Sequence, residues 1–178
     1  TIVLFVVSIF AFTRMGGEFI PQLDEGDFAV ETRVLLGSSI SEIIEASTKA
    51  QKIILEKFPD EVVQVVNKIG SGEIPTDPMP IEAGDMMIIL KEKSEWKVAK
   101  TREELAEKMG EQLSVIPGVT FGFQQPIQMR FNELITGAKQ DVVLKIYGDD
   151  LDVLTEQASK VSSLIKNVDG VEDLYVEE

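Results

Sequence analysis

Two residue types are missing from this chain altogether, cysteine and histidine. Without a thiol or an imidazole there is no thiolate nucleophile, no Ser-His-Asp triad, no histidine general base and no zinc site of the Cys/His kind. A metal held by these side chains has to be held through oxygen or thioether. Positive charge is also scarce: 17 Lys and Arg stand against 31 Asp and Glu, a formal net charge of -14. Such a field repels phosphate backbones and anionic headgroups, which argues against nucleic acid as a partner, and it concentrates cations. Lack of cysteine is compatible with an extracytoplasmic location without requiring one. What is present suffices for a packed core, since 44% of the 178 residues are hydrophobic and 27% are charged, a balance that argues against disorder.

Apolar side chains run uninterrupted in one place. From Thr1 to Phe12 there is no charge, and the first is Arg14. A helix of that length spans roughly 18 Å, short of the ~30 Å hydrocarbon layer. A secretory signal would carry basic residues before the run and a small-residue cleavage site after it, and neither is visible. Because the chain opens on Thr1 rather than Met, with Phe and Val on every face, the run is expected to be the tail of a longer transmembrane helix. A buried element of a soluble core is the other reading.

After Gly16-Gly17 the pattern alternates strand-like and helix-like blocks. Residues 27–36 alternate partly at period two, as a half-buried strand does. Ser41 is the expected N-cap of an amphipathic helix that carries Ile43, Ile44, Ser47, Ala50, Ile54 and Phe58 at three- and four-residue steps and stops near Pro59. The β-branched run 62–66 predicts a second strand ended by Gly70-Ser-Gly72, and the three prolines of Glu73-Ile-Pro-Thr-Asp-Pro-Met-Pro80 forbid helix after it. A strand at 86–90 comes next. Thr101 with Glu104 forms a capping-box pattern for a helix burying Leu105, Met109, Leu113 and Ile116, and Pro117-Gly118 leads into a strand at 119–123. The order from Gly26 to Gln125 is therefore β-α-β-β-α-β, the ferredoxin-like split βαβ arrangement of an α+β fold. Further on, a strand at 142–147, a helix over Leu151 to Val168 and a strand at 171–176 predict a single βαβ, half of a second such unit. Similar helix-to-strand corners at Phe58-Pro-Asp, Ile116-Pro-Gly and Val168-Asp-Gly fit a duplication.

Three places carry candidate chemistry. Glu31 lies within the first strand, where it either shares a face with Arg33 or points into a cleft; a solvated strand carboxylate is the plainer alternative. Glu82 and Asp85 flank Gly84 just past the proline-rich loop, where carboxylates can converge on a divalent cation. The segment from Gln124 to Gly137 reads as a long connection dense in amides, with Arg130 and Glu133 either paired across one helical turn or available to a ligand. Met79, Met86, Met87 and Met129 offer thioethers to a soft ion such as Cu(I), although core packing suits Met86 and Met87 better and exposure suits Met79.

Five strings, taken in order, carry a resemblance. Gly17-Glu-Phe-Ile-Pro-Gln-Leu-Asp-Glu-Gly-Asp27, Glu73-Ile-Pro-Thr-Asp-Pro-Met-Pro80, Leu90-Lys-Glu-Lys-Ser-Glu-Trp96, Gln125-Pro-Ile-Gln-Met-Arg-Phe-Asn-Glu133 and Lys145-Ile-Tyr-Gly-Asp-Asp-Leu-Asp152 closely resemble the heavy-metal efflux branch of the resistance-nodulation-division transporters. The resemblance implies a transmembrane helix end at residues 1–14 and a first ferredoxin-like periplasmic porter subdomain at 15–125. It implies the opening βαβ of a second, truncated porter subdomain at 126–178. It further implies a proton-driven exporter of Zn, Co, Cd or Ni in the bacterial inner membrane, with this segment on the periplasmic side, and no covalent catalysis. A homotrimer working with a periplasmic adaptor (membrane fusion) protein and an outer-membrane channel is implied as well. No cofactor is expected; the metal is the cargo. Copper-silver pumps of this branch hold their ion with three methionines, and the matching positions here are Glu31, Ala83 and Glu133. With Asp85 and Glu82 nearby, the implied ligands are carboxylates, which suit divalent ions better than Cu(I). Alternatives are a copper-silver pump, a free-standing ferredoxin-like module for a small molecule, and an enzyme, for which no acid-base pair or nucleophile stands out.

Overall fold

The computed structural model describes residues 2–14, 24–70, 79–168, 170, 171, 174 and 176. The expected break at Gly16-Gly17, most of the passage 73–80 and half of the expected strand at 171–176 lie outside the described residues.

Among the described residues the elements follow in the order α1 (Ile2–Arg14), β1 (Phe28–Val34), α2 (Ile40–Lys57), β2 (Val62–Ile69), β3 (Ala83–Leu90), a 3-10 turn (Lys93–Glu95), α3 (Arg102–Leu113), β4 (Val119–Gln124), α4 (Pro126–Thr136) and α5 (Leu151–Ile165). The strands form one sheet in the order β2-β3-β1-β4 with every neighbouring pair antiparallel. That is the expected βαββαβ arrangement, in which β3 is inserted between β1 and β2.

One face of this sheet is dry. Phe28 and Val30 of β1 and Met86 and Ile88 of β3 point the same way, as residues two apart in a strand must. They meet Ala50 and Ile54 of α2 and Leu105, Met109 and Leu113 of α3 in one buried cluster. Side chains of this size stabilise the fold by about 1.5–3 kcal/mol each when fully removed from water. Phe28 also meets Phe123 of β4 edge to face, with ring centroids 5.5 Å apart. Close approach of β2 explains Gly84, where an added Cβ would come within 3.3 Å of the Lys68 carbonyl oxygen and 3.4 Å of Ile69, with Ile43 of α2 at 3.5 Å.

Element boundaries shift in places. α2 is capped at Ser39 rather than Ser41, because the Glu42 carboxylate accepts the Ser39 N–H at 2.8 Å, the return half of a capping box two residues earlier than the hydroxyl pattern suggested. β2 runs on to Ile69 and β3 begins at Ala83, both lengthened by pairing with each other. β1 ends at Val34, leaving Leu35 and Leu36 exposed in the turn toward α2. Thr101 does cap α3, accepting the Glu104 N–H at 3.2 Å.

The larger correction concerns the segment expected to be a connection. It is helix α4, opened by Pro126 at its first position and closed by Gly137 in the left-handed conformation at φ 78°. Proline just inside and glycine just past a helix is the asymmetry that marks helix ends. Residues 142–147 carry no strand, since β pairing requires a partner strand and none lies alongside them among the described residues. α5 forms where expected, with the Asp150 carboxylate accepting the N–H groups of Asp152 and Val153 and no side chain of the helix buried. α1 likewise has every side chain exposed, and no helix among the described residues is long and apolar enough to cross a membrane.

Candidate metal site

The second face of the sheet is polar and charged. Alternation that sends Val30 and Met86 into the core sends Glu31 and Asp85 to the opposite side, and the register places these two acids directly across from each other on β1 and β3. The same row continues to Lys68 on β2 and to Gly122 on β4. Helix α4 packs against β1 on this side and buries Met129. Beneath that cover Glu31 is 7% exposed and Asp85 5%.

Buried carboxylates need partners, because an unpaired charge away from water is expensive. Glu31 Oε1 accepts from Arg33 Nε at 3.1 Å and from Arg33 Nη2 at 2.9 Å. Its other oxygen accepts from Gln140 Nε2 at 2.8 Å. Asp85 Oδ1 accepts from Lys139 Nζ at 2.7 Å, an ion pair almost closed to solvent on both sides. Glu31 therefore shares its face with Arg33, one of the two alternatives open in the sequence, and it sits under a loop rather than in open solvent.

The other two expected ligands lie elsewhere. Glu133 accepts from Arg130 Nη1 at 2.7 Å across one turn of α4. Glu82 ties down the end of β1: its carbonyl accepts the Val34 N–H at 3.0 Å and its carboxylate the Gly37 N–H at 3.4 Å. Among the described residues no three acidic side chains converge as a metal-holding group. Glu31 and Asp85 are brought together; Glu133 and Glu82 are each engaged with a neighbour of their own. Ala83 is buried and offers no donor. Of the methionines, Met86 belongs to the core on the far face, Met87 shares the face of β3 that bears Asp85, Met129 is the buried residue of α4, and Met79, expected at the surface, is buried.

Sequence reasoning missed the cations and amides that complete this face. Lys139 and Gln140 reach Asp85 and Glu31 from 54 and 109 residues away, so only the folded chain reveals the pairing. Their loop is held in turn by α4. Gln128 Nε2 and Asn132 Nδ2 each donate to Asp141 Oδ1 at 2.8 Å, and Asn132 also donates to the Lys139 carbonyl at 3.2 Å.

The motif at 24–27 proves to be a structural knot. Arg102, at the start of α3, is buried and donates to the Asp24 carboxylate, to Gln125 Oε1 at 2.6 Å and to the Asp27 carbonyl at 3.3 Å, while its guanidinium lies 5.5 Å from the Phe28 ring centroid. Asp27 Oδ1 accepts the Leu90 N–H at 2.9 Å. Glu25 turns the other way and accepts the N–H groups of Ile127 and, at 3.0 Å, Gln128, which open α4. In the motif at 90–96, Trp96 Nε1 donates to the Lys91 carbonyl at 3.0 Å. The loop beyond it is anchored by Glu61, whose fully buried Oε1 accepts the N–H groups of Lys97 and Val98 at 2.8 and 2.9 Å.

A family model described as the AcrB/AcrD/AcrF family matches residues 1–178. The chain belongs to that family. Protein HelA of Legionella pneumophila is 42% identical over 99% of this chain and 17% of its own length. The cobalt-zinc-cadmium resistance protein CzcA of Cupriavidus metallidurans is 40% identical over 97% of this chain and 16% of its own. A crystal structure of a heavy metal efflux pump superposes with a TM-score of 0.85 at 27% identity, covering 97% of this chain and 18% of that one. The chain thus spans about one sixth of the length of the curated relatives it matches. Its resemblance to the heavy-metal branch of the resistance-nodulation-division transporters holds over essentially its whole length.

Proposed function

We propose that this chain is a porter segment of an efflux transporter that exports divalent heavy-metal cations such as zinc, cobalt or cadmium, and that Glu31 and Asp85 contact the cargo. The observation that carries the reading is a pair of carboxylates in register on adjacent strands, buried on the charged face of the sheet. Carboxylate oxygen favours hard and borderline divalent ions over Cu(I). Likeness to a cobalt-zinc-cadmium resistance protein over 97% of the chain supports the same class of cargo and leaves the free-standing module without support.

In this reading Arg33 and Lys139 neutralise the pair while no ion is present, and the cargo exchanges with them as the loop at 137–141 lifts. Glu133, beside the cover on α4, and Glu82, at the end of β1, are drawn in as further oxygen donors once that cover moves. Residues 1–14 end a membrane-spanning helix of the inner membrane and the sheet lies on the periplasmic side. Residues 126–178 open a second porter subdomain. The transporter is a proton-driven trimer that passes the ion to an adaptor and an outer-membrane channel, and it makes or breaks no covalent bond.

The test is Glu31→Gln combined with Asp85→Asn in the full-length transporter, read as growth on zinc, cobalt and cadmium. Resistance is expected to disappear while expression and membrane insertion stay at the wild-type level. Undiminished resistance to all three metals refutes the assignment.

A further inference from the structure

We propose that Glu25 is a positioning residue that fixes α4 and, through α4, the loop that covers the acid pair. Glu25 follows the segment 15–23 that leads out of α1, and its neighbours Asp24 and Asp27 are fastened to Arg102 and to β3. From that fixed point its carboxylate accepts two N–H groups at the first turn of α4, from residues 102 and 103 positions further along the chain. Gln125, the residue before the helix, offers no side-chain cap of its own and instead accepts from the Glu25 N–H at 3.0 Å. A carboxylate is the favoured partner for these otherwise unmatched donors at the positive end of a helix.

The next contacts continue without a gap. One turn and two turns into α4, Gln128 and Asn132 hold Asp141 and the Lys139 carbonyl. The loop so held is the one that lays Lys139 on Asp85 and Gln140 on Glu31. Every link is a hydrogen bond between named groups, and the contacts of Gln128 and Asn132 with Asp141, which tie the loop to α4, are exposed, so they exchange for water at little cost once the first is released. The inference rests on the cargo reading of that pair only for its consequence in transport.

The experiment uses the full-length protein in detergent, without metal, and two readouts: amide hydrogen exchange over residues 126–129, and acylation of Lys139 by an N-hydroxysuccinimide ester followed by mass spectrometry. Glu25→Ala is expected to raise both by about fivefold, the order of a lost helix cap, with the amides of β1 unchanged. Glu25→Gln keeps an oxygen but loses the charge and is expected to fall between. Faster exchange at 126–129 with unchanged Lys139 acylation overturns the proposal, because the cap would then be local; no change in either overturns it as well. Should Glu25→Ala deprotect β1 too, Asp141→Ala decides: it removes the oxygen that Gln128 and Asn132 hold and so cuts the relay downstream, and Lys139 acylation is expected to rise while 126–129 stay protected. Unchanged acylation in that variant overturns the proposal. Since no readout involves a metal, failure of the carboxylate pair in resistance assays leaves this relay standing, and failure here leaves the pair.

Discussion

Replacing Glu61 by alanine separates the role of a buried carboxylate as a scaffold from any role as a charge. Glu61 is 0% exposed, and one of its oxygens receives the N–H groups of Lys97 and Val98. Its other oxygen has no hydrogen-bond partner in the structure. Alanine leaves two backbone donors without an acceptor, at about 1–2 kcal/mol each, and removes packed methylenes worth about 1 kcal/mol more. The sum is about 3–5 kcal/mol. With a urea m-value of about 2 kcal/mol/M, the unfolding midpoint falls by roughly 1.5–2.5 M. Glutamine keeps an acceptor at Oε1 and places an amide where the partnerless oxygen was, so its midpoint is expected within about 0.5 M of wild type. Trp96 is the one tryptophan of the chain and lies in the loop that Glu61 anchors, so its fluorescence in a urea titration reads the change directly. A shift below about 0.5 M for alanine refutes the reasoning. Equal damage from glutamine and alanine refutes it differently, by showing that negative charge rather than acceptor geometry holds the loop.

Other expectations follow from the same structure. Leu105→Ala empties a fully buried position of α3 and is expected to cost about 2–4 kcal/mol in urea unfolding, against less than about 0.5 kcal/mol for exposed Leu134→Ala in α4. Gly137→Ala forces a side chain into a backbone at φ 78° where the added Cβ would make only ordinary contact with Lys145 Nζ at 3.9 Å, so the cost of about 1 kcal/mol is conformational and appears as faster amide exchange in the last turn of α4 alone. The Glu104 carboxyl is held below the usual carboxylate range, first by the Lys100 backbone N–H and then by the Lys108 ammonium. A depressed value in the folded chain means that its contribution to α3 is complete above the unfolded value of about 4.3 and is lost as pH falls through the folded value. An NMR titration that finds Glu104 at or above the usual value refutes this.

Much of the fold was legible because its signals are local. The hydrophobic spacing of α2 and α3, the Thr101 cap and the β-branched runs each sit within a few residues of what they specify. Pro126 and Gly137 were equally local, yet the amides between them suggested a connection, and the bracketing pair that marks a helix was the better guide. The strand expected at 142–147 failed for the opposite reason, since an extended segment becomes a strand only beside another. At the candidate site, Glu31 and Asp85 were visible as acids, but their juxtaposition depends on the β1–β3 register. Lys139 and Gln140 belong to a loop whose position only α4 determines. The acids of 24–27, present in the sequence only as part of a motif, act in the fold as fasteners.

The two faces of the sheet differ in what it takes to expose them. Prising α2 or α3 away would wet a continuous apolar layer, whereas lifting α4 uncovers little apolar surface beyond Met129 and exchanges ion pairs and amide contacts for water. The molecule accordingly divides into a chassis, made of the sheet with its two inner helices, and a hatch, made of α4 with the loop that follows. A hatch of this kind can open and shut many times per second without loosening the chassis, so the route to the acid pair and the stability of the domain are free to change independently.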